Sequence, residues 1–248
     1  MIYDFIIVGA GSAGCVIANR LSEDPSNRVL LIEAGGSDRR FFVQMPIGYG
    51  VTYHQKAVNW MYMTEPSPDA DNKPSYWPRG KVLGGSSSIN AMVYVRGNPK
   101  DFDEWSEMGN PGWSYRDVLP YFKKMESWQK GSDAYRGGDG PLNVSEVSEQ
   151  LHPLCHNFLS AAQEIGIGLN KDMNGATQEG VGNYQITTHG GQRMSSSRAY
   201  LWPIKGRKNL TIIKNALASR VLIKDKKAYG VEYLKSGIKQ QVFADSEV

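Results

Sequence analysis

The chain has 248 residues, of which 40% are hydrophobic and 21% are charged. This is enough for one large domain or two small ones with a real core, and the composition excludes a disordered or fibrous protein. The 28 basic residues exceed the 25 acidic ones by only three, too few to indicate binding to nucleic acid or to an anionic membrane surface. We therefore expect a small-molecule partner.

The cysteine count and the hydropathy of the sequence indicate the cellular compartment of the protein. The two cysteines, Cys15 and Cys155, are too few for a secreted disulfide framework. The first strand is expected almost at Met1, which leaves no room for a leader peptide. No apolar run approaches the roughly 20 residues that cross a bilayer. These features predict a cytoplasmic protein without an integral membrane segment, and they leave peripheral membrane attachment open.

The opening segment combines a strand, a glycine-rich turn and a helix. Residues 3–8 are β-branched and aromatic, which is typical of a strand buried in a parallel sheet. Gly9, Gly11 and Gly14 follow in the sequence GAGSAG. In this spacing the first glycine permits a tight turn, the second admits a pyrophosphate, and the third lets the helix pack on the strand. The helix start then offers its unpaired amides to the phosphates.

The second predicted strand, residues 28–32, ends at Glu33. A carboxylate about 20 residues after the glycines can accept hydrogen bonds from a ribose and would repel a 2′-phosphate. The strand, helix, strand and acidic residue together favour a dinucleotide site over a turn that binds nothing. The motif alone does not separate FAD from NAD, because both contain the same adenosine diphosphate half.

A second glycine-rich segment, RGKVLGGSSSINAMVYVRG, covers residues 79–97. Its glycine-serine turn suits close approach of the backbone to a flat polar ligand. Its three serines, Ser86–Ser88, lack the GxSxG pattern of a hydrolase nucleophile, so hydrolase chemistry is not supported.

The rest of the chain predicts helices followed by short strands. Asn98 and Pro99 start a helix that ends near Gly109, and Ser114 with Asp117 starts another. An amphipathic helix is expected at about 146–165, followed by a half-exposed strand at 181–188. Further short strands are expected at 210–213, 219–223, 230–234 and 240–244.

The pair His152 and His156 has the i,i+4 spacing of two metal ligands on one helix face. No third ligand accompanies the pair at a familiar spacing, so an ordinary amphipathic helix is the favoured interpretation.

Taken together, the motifs resemble the glucose-methanol-choline (GMC) family of oxidoreductases along essentially the whole chain. The matching segments are GAGSAG (9–14), LLIEAGG (30–36), WPRGKVLGGSSSIN (77–90), DFDEW (101–105), GW-x-Y (112–115) and SSSRAYL (195–201). The resemblance implies an α/β fold, with a Rossmann-like FAD-binding domain and an interleaved α+β substrate domain that is incomplete here.

The resemblance also implies a domain division. The FAD-binding domain is expected at 1–97, with an excursion at 37–77 that covers the cofactor. A partial substrate or cap domain is expected at 98–208, and residues 209–248 are expected to return to the FAD-binding domain.

The family further implies which residues bind FAD. The pyrophosphate is assigned to Gly9–Gly14, the ribose to Glu33, and the adenine to the backbone of Ala218. The isoalloxazine is assigned to Asn90–Val93, and Trp60 is expected to approach the cofactor. All the expected cofactor-binding residues are Gly9, Gly11, Ser12, Ala13, Gly14, Glu33, Ala34, Trp60, Arg79, Leu83, Gly84, Gly85, Asn90, Ala91, Met92, Val93 and Ala218.

The mode of FAD attachment follows from one position. Some family members attach FAD covalently through a histidine immediately before the asparagine of the GGSSS-x-N segment. Ile89 occupies that position here. Because isoleucine offers no nucleophile for the flavin methyl group, non-covalent and dissociable FAD is expected.

The reaction implied by the resemblance oxidises the CH–OH group of an alcohol by hydride transfer to flavin N5. Oxygen or a quinone-like carrier would reoxidise the flavin. A histidine takes the hydroxyl proton as general base, but it lies near the C-terminus of the family. None of the four histidines here, His54, His152, His156 and His189, lies in a matching motif. We therefore assign no catalytic residue, and the chain is expected to lack the base and to be inactive alone.

Three other functions stay open at this stage. The same fold supports lyase and photodecarboxylase chemistry with FAD bound. A non-catalytic flavin-binding role is a second alternative, and a nicotinamide-dependent dehydrogenase is a third that the second glycine-rich segment disfavours.

Overall fold

The computed structural model describes residues 2–248, which divide into two compact units. The first unit comprises residues 2–91 and 191–248, and the second comprises residues 92–190. The functional domain boundaries expected from the sequence stay a prediction. None of the helices within residues 2–248 has the combination of length and apolarity needed to cross a bilayer.

The helices are α1 (Ser12–Leu21), α2 (Phe41–Gln44), α3 (Tyr49–Thr52), α4 (Pro99–Glu107), α5 (Tyr115–Met125) and α6 (Pro153–Glu164). Turns of 3₁₀ helix are Pro46–Gly48, Pro68–Ala70, Gly85–Ser88 and Ser148–Gln150, and a π-helical turn is Ser197–Leu201. The strands are β1 (Ile2–Val8), β2 (Val29–Ile32), β3 (Tyr62–Met63), β4 (Tyr76–Trp77), β5 (Val93–Tyr94), β6 (Glu126–Trp128), β7 (Leu142–Val144), β8 (Gln185–Ile186), β9 (Thr188–His189), β10 (Gln192–Arg193), β11 (Leu210–Ile213), β12 (Ala216–Lys224), β13 (Lys227–Lys235) and β14 (Ile238–Glu247).

A six-stranded sheet organises the first unit, in the order β11-β2-β1-β14-β13-β12. The strands β11, β2, β1 and β14 are parallel, whereas β13 is antiparallel to both of its neighbours. All four residues of β2 are buried, as expected for a strand between two parallel neighbours. The core cluster of this sheet is Ile6, Leu30, Ile32, Ala216, Val231, Tyr233 and Val242. The strands predicted at 3–8, 28–32 and 210–213 are confirmed.

The last three strands form antiparallel hairpins closed by two-residue turns. Asp225 and Lys226 join β12 to β13, and both have positive φ, at 51° and 64°. Ser236 and Gly237 join β13 to β14 with φ of 51° and 78°. This backbone matches the right-handed twist of the flanking strands. The three strands predicted within 219–244 are confirmed, and each is longer than the sequence pattern indicated.

Two predicted helix starts in the second unit are confirmed by their caps. The side chain of Asn98 accepts a hydrogen bond from the amide of Lys100 at 3.0 Å, at the start of α4. Ser114 and Asp117 form a reciprocal capping box at the start of α5. These short-range contacts satisfy amides that the first turn of a helix leaves unpaired.

The helix predicted at 146–165 is shorter, and the predicted start is wrong. Helix α6 begins at Pro153, and Ser148–Gln150 forms a separate 3₁₀ turn. Proline favours the first position of a helix and pushes the preceding residue into extended backbone. His152 is accordingly extended, with φ of −61° and ψ of 140°.

The strand predicted at 181–188 is wrong as a continuous element, because the region contains only the two-residue strands β8 and β9. The amide of Val181 donates to the carbonyl of Gly168, and the carbonyl of Val181 accepts from the amide of Asn170. These contacts place the first part of the alternating run in a loop. An alternating pattern indicates which faces are exposed but does not specify a hydrogen-bonding neighbour.

A buried charge network holds the second unit together. The carboxylate of Glu126 is fully buried and accepts from Arg96 Nη2 at 2.6 Å, from Arg136 Nε at 2.9 Å and from the amide of Gly137 at 2.9 Å. Arg136 Nη1 also donates to both oxygens of Asp172 at 2.8 Å. Two guanidinium groups are thus paired with two carboxylates, which is the condition under which buried charges are tolerated.

Candidate functional site

A cavity of about 470 Å³ opens in the first unit where β1 and β2 end. Open parallel sheets bind ligands at the carboxyl ends of their strands, so this is the expected place for a site. The volume lies within the usual range for small-molecule sites. The lining residues are Val8, Gly9, Gly11, Ser12, Ile32, Glu33, Ala34, Trp60, Tyr62, Arg79, Gly80, Gly85, Ser86, Ala216, Leu217 and Ala218.

The first glycine-rich turn leaves space in front of helix α1. Gly9 has φ of +91°, and a Cβ placed on Gly9 or Gly11 would meet no atom within 4 Å. Gly11 caps the helix without a side-chain hydrogen bond. Gly14 serves packing instead, because a Cβ there would lie 2.0 Å from the carbonyl oxygen of Gly9. The amides of the first helical turn therefore face an open space suited to an anion.

The second glycine-rich segment packs directly on the first. The amide of Gly84 donates to the carbonyl of Ala10 at 2.7 Å. A Cβ on Gly85 would lie 2.7 Å from the Cα of Gly11. Both Gly84 and Gly85 have positive φ, at 87° and 54°, which favours glycine. The two motifs that are distant in sequence thus form one wall of the cavity.

Glu33 both borders the cavity and holds the turn in place. Its Oε2 accepts from the amide of Ala10 at 2.8 Å, and its Oε1 accepts from the amide of Gly35 at 2.7 Å. Burial raises the pKa of Glu33, while these two amide hydrogen bonds act in the opposite direction. Because a carboxylate oxygen can accept more than one hydrogen bond, Glu33 could still bind a ribose hydroxyl. Sequence reasoning missed its role in anchoring the turn.

Aromatic side chains also line the cavity. The rings of Trp60 and Tyr62 stack with centroids 5.7 Å apart and planes at 8°. Lys81 Nζ lies 4.6 Å from the centre of the Trp60 ring, a cation–π distance. Tyr62 was not predicted as a site residue. Its spacing of two residues from Trp60, which puts both on one side of an extended chain, was the available signal.

The structure brings about half of the predicted cofactor-binding residues to the cavity. Those that line it are Gly9, Gly11, Ser12, Glu33, Ala34, Trp60, Arg79, Gly85 and Ala218. Those that do not line it are Ala13, Gly14, Leu83, Gly84, Asn90, Ala91, Met92 and Val93. Met92 and Val93 belong to the second unit, and their placement along an isoalloxazine ring stays a prediction. The lining residues that were not predicted include Tyr62, Ser86, Ala216 and Leu217.

Two of the histidines have structural contacts. His152 caps α6, and its Nδ1 accepts from the amide of Leu154 at 3.2 Å. The ring of His54 stacks on Tyr76 with centroids 5.7 Å apart. Across residues 2–248, no three side chains of His, Cys, Asp or Glu are arranged to hold a metal ion. The pair His152 and His156 therefore gains no third ligand in the described part of the chain.

We expect Cys15 to resist alkylation at pH 8 while the protein is folded. Its side chain is fully buried in α1, its Sγ donates to the carbonyl of Ala10 at 3.3 Å, and burial raises its pKa to about 12. At pH 8 only about one part in ten thousand would be thiolate, the reactive form. Iodoacetamide followed by peptide mass spectrometry should label the half-buried Cys155 first. Equal labelling of both residues in the native protein would contradict this.

Comparisons with known proteins identify the family of this chain. The family described as GMC oxidoreductase matches residues 3–248. The oxygen-dependent choline dehydrogenase of Photobacterium profundum is 49% identical over 247 residues, covering 99% of this chain and 44% of the relative. The alcohol dehydrogenase (acceptor) of Pseudomonas putida is 48% identical over 241 residues, covering 97% of this chain and 44% of the relative. The chain thus spans less than half the length of these curated relatives.

A solved structure shares the fold. The crystal structure of pyridoxine 4-oxidase from Mesorbium loti superposes with a TM-score of 0.93 at 33% identity, covering 98% of this chain and 48% of that one. GMC oxidoreductases bind FAD, and the cavity fits the adenosine diphosphate half of that group. The glycines leave open space at the start of α1, and Glu33 borders that space. On the family match and on this geometry, the chain belongs to the GMC oxidoreductases.

Proposed function

We propose that this chain forms the FAD-binding part of an oxidoreductase that acts on the CH–OH group of an alcohol. The observation that carries the proposal is the contact of the two glycine-rich segments beside one cavity, with Gly85 against Gly11 and Glu33 at its border. Family membership supports the same function.

Each part of the cavity has a proposed task. The amides at Gly11 and Ser12 bind the diphosphate, because a helix start favours negative charge. The carboxylate of Glu33 accepts hydrogen bonds from the adenosine ribose. The start of β12, residues 216–218, borders the adenine, and Asn90–Val93 border the isoalloxazine. When bound, FAD supplies the hydride acceptor. The catalytic base is not among the residues of this chain.

The proposed substrate class is an alcohol. Relatives are named as a choline dehydrogenase and an alcohol dehydrogenase, so choline is the first compound to test, followed by aliphatic and aromatic alcohols. Oxygen or a quinone-like carrier is the proposed electron acceptor.

An anaerobic titration of the full-length protein tests this proposal. We expect at least one alcohol to bleach the oxidised flavin band, because hydride transfer reduces the ring. Bound FAD that no alcohol in the panel bleaches would support a non-redox relative instead. Reduction of added NAD⁺ by an alcohol, without any change in the flavin band, would support a nicotinamide-dependent dehydrogenase.

We expect acid precipitation to release FAD into the supernatant. Ile89 is buried, and it packs in a cluster with Val43, Val58 and Val82, so this position offers an aliphatic core contact and no nucleophile for a covalent bond. The measurement is an absorption spectrum of pellet and supernatant after precipitation. Yellow colour retained in the washed, denatured pellet would show a covalent link and contradict the prediction.

A further inference from the structure

Arg193 is a fully buried arginine that joins two parts of the first unit. Its Nε donates to the carbonyl of Val43 at 2.9 Å, at the end of the chain segment that forms α2. Its Nη1 donates to the carbonyl of Ser87 at 3.3 Å and to the carbonyl of Asn90 at 2.6 Å. The same Nη1 donates to the side-chain Oδ1 of Asn90 at 2.9 Å. Arg193 therefore holds residues 87–90 of the second glycine-rich segment in place.

The charge of Arg193 has no carboxylate partner among residues 2–248. Its surroundings supply only carbonyl oxygens, and its Nη2 is buried without a hydrogen-bond partner. Burial lowers its pKa to about 10, which still leaves the guanidinium charged at neutral pH. The other two buried arginines, Arg96 and Arg136, share the carboxylate of Glu126. An uncompensated buried cation is destabilising, so its presence calls for a compensating interaction.

Asn90 lies between the buried charge of Arg193 and the protein surface. Its amide oxygen is held by the cation, so its amide nitrogen is oriented as a donor. Asn90 is exposed, whereas Arg193 is buried behind it. A charge in a poorly solvated position acts over a longer distance than one in water. A ligand that gains negative charge against Asn90 would therefore be stabilised.

We propose that Arg193 is a positioning residue for the flavin: it orients the Asn90 amide toward the isoalloxazine and stabilises the negative charge that the ring gains on reduction. The inference rests on the proposed function, which places Asn90 along that ring. A hydride brings two electrons and one proton, so a neutral ring that accepts a hydride carries one negative charge. A buried cation beside Asn90 favours that charged product.

Sulfite binding to the full-length flavoprotein tests this without an alcohol or a catalytic base. Sulfite adds to N5 of the oxidised ring and leaves the negative charge on the ring, so its affinity reports how well that charge is stabilised. For Arg193→Met we expect sulfite to bind at least about tenfold more weakly. A tenfold change in the equilibrium constant for a two-electron reduction corresponds to a shift of about 30 mV in the reduction potential.

Two further variants separate charge from folding. Arg198→Met is the matched control, because Arg198 is a nearby arginine that is partly exposed and bonds to Gln44 and Gln192; its sulfite affinity should stay within about twofold of the unchanged protein. Asn90→Asp gives Arg193 a carboxylate partner. We expect it to weaken sulfite binding at least about tenfold, while the apoprotein melts at a higher temperature because the buried charge is paired.

The outcomes are distinct. Weaker sulfite binding in Arg193→Met supports the inference, provided that the sulfite affinity of Arg198→Met is unchanged. If Arg193→Met does not fold, weaker sulfite binding in Asn90→Asp supports it under the same condition. If Arg193→Met or Asn90→Asp binds FAD and its sulfite affinity is unchanged, the inference is overturned and the proposed function is not affected. Absence of FAD from the unchanged protein overturns the proposed function, and the inference with it.

Discussion

Replacing Gly11 by aspartate should abolish FAD binding and leave the fold intact. A Cβ at Gly11 would meet no protein atom within 4 Å, and a side chain there would enter the cavity in front of α1. Gly11 is the N-cap of that helix, with φ of −75° and ψ of −165°, a conformation that suits aspartate and lets its carboxylate accept amide hydrogen bonds. The same carboxylate would occupy the proposed diphosphate position and repel its charge. We expect the dissociation constant for FAD to rise at least about a hundredfold, or about 2.7 kcal/mol.

Flavin fluorescence titration of the apoprotein and thermal melting of the same samples measure the two effects separately. Gly206→Asp is the control, because Gly206 is exposed, has no atom within 4 Å of its Cβ position and lies outside the cavity. We expect both apoproteins to stay within about 1 kcal/mol of the unchanged protein in stability. If Gly11→Asp bound FAD as tightly as the control, the diphosphate would not lie at the start of α1.

Replacing Glu126 by glutamine should destabilise the second unit by about 3–5 kcal/mol. Glu126 accepts hydrogen bonds from Arg96, Arg136 and the amide of Gly137, and its side chain is fully buried. Glutamine has nearly the same shape, but its NH₂ group would face one of the donors. Arg136 would then keep only Asp172 as a carboxylate partner, and Arg96 would keep none among the described residues. The expected loss of stability is large because a buried guanidinium charge is left without a carboxylate partner and without water.

Urea unfolding of the full-length protein, monitored by tryptophan fluorescence and by limited proteolysis within residues 92–190, tests this prediction. Glu149→Gln provides the control, because it is the same substitution at an exposed position. That control should change stability by no more than about 0.5 kcal/mol. Equal unfolding midpoints for the two variants would mean that the pairs of Glu126 contribute little to the native state.

Local sequence patterns determined much of the fold. The strand, glycine turn and helix at the start are adjacent in the chain, so residue type and spacing were sufficient to predict them. The caps at Asn98 and Ser114 are likewise contacts between residues two or three positions apart. The errors at α6 and at 181–188 arose where a proline, or a hydrogen-bonding neighbour in a loop, overrode the periodic pattern.

The sequence by itself also determined the family and predicted the glycines that line the cavity, because those motifs are contiguous and each glycine meets a steric requirement. Only the tertiary structure decided which distant groups meet. Arg193 is 103 residues from Asn90, and Glu126 is 30 residues from Arg96. A sequence shows that an arginine is present, but its burial and its partner depend on how the chain packs. The paired charges of the second unit and the unpaired charge of Arg193 are therefore properties of the fold.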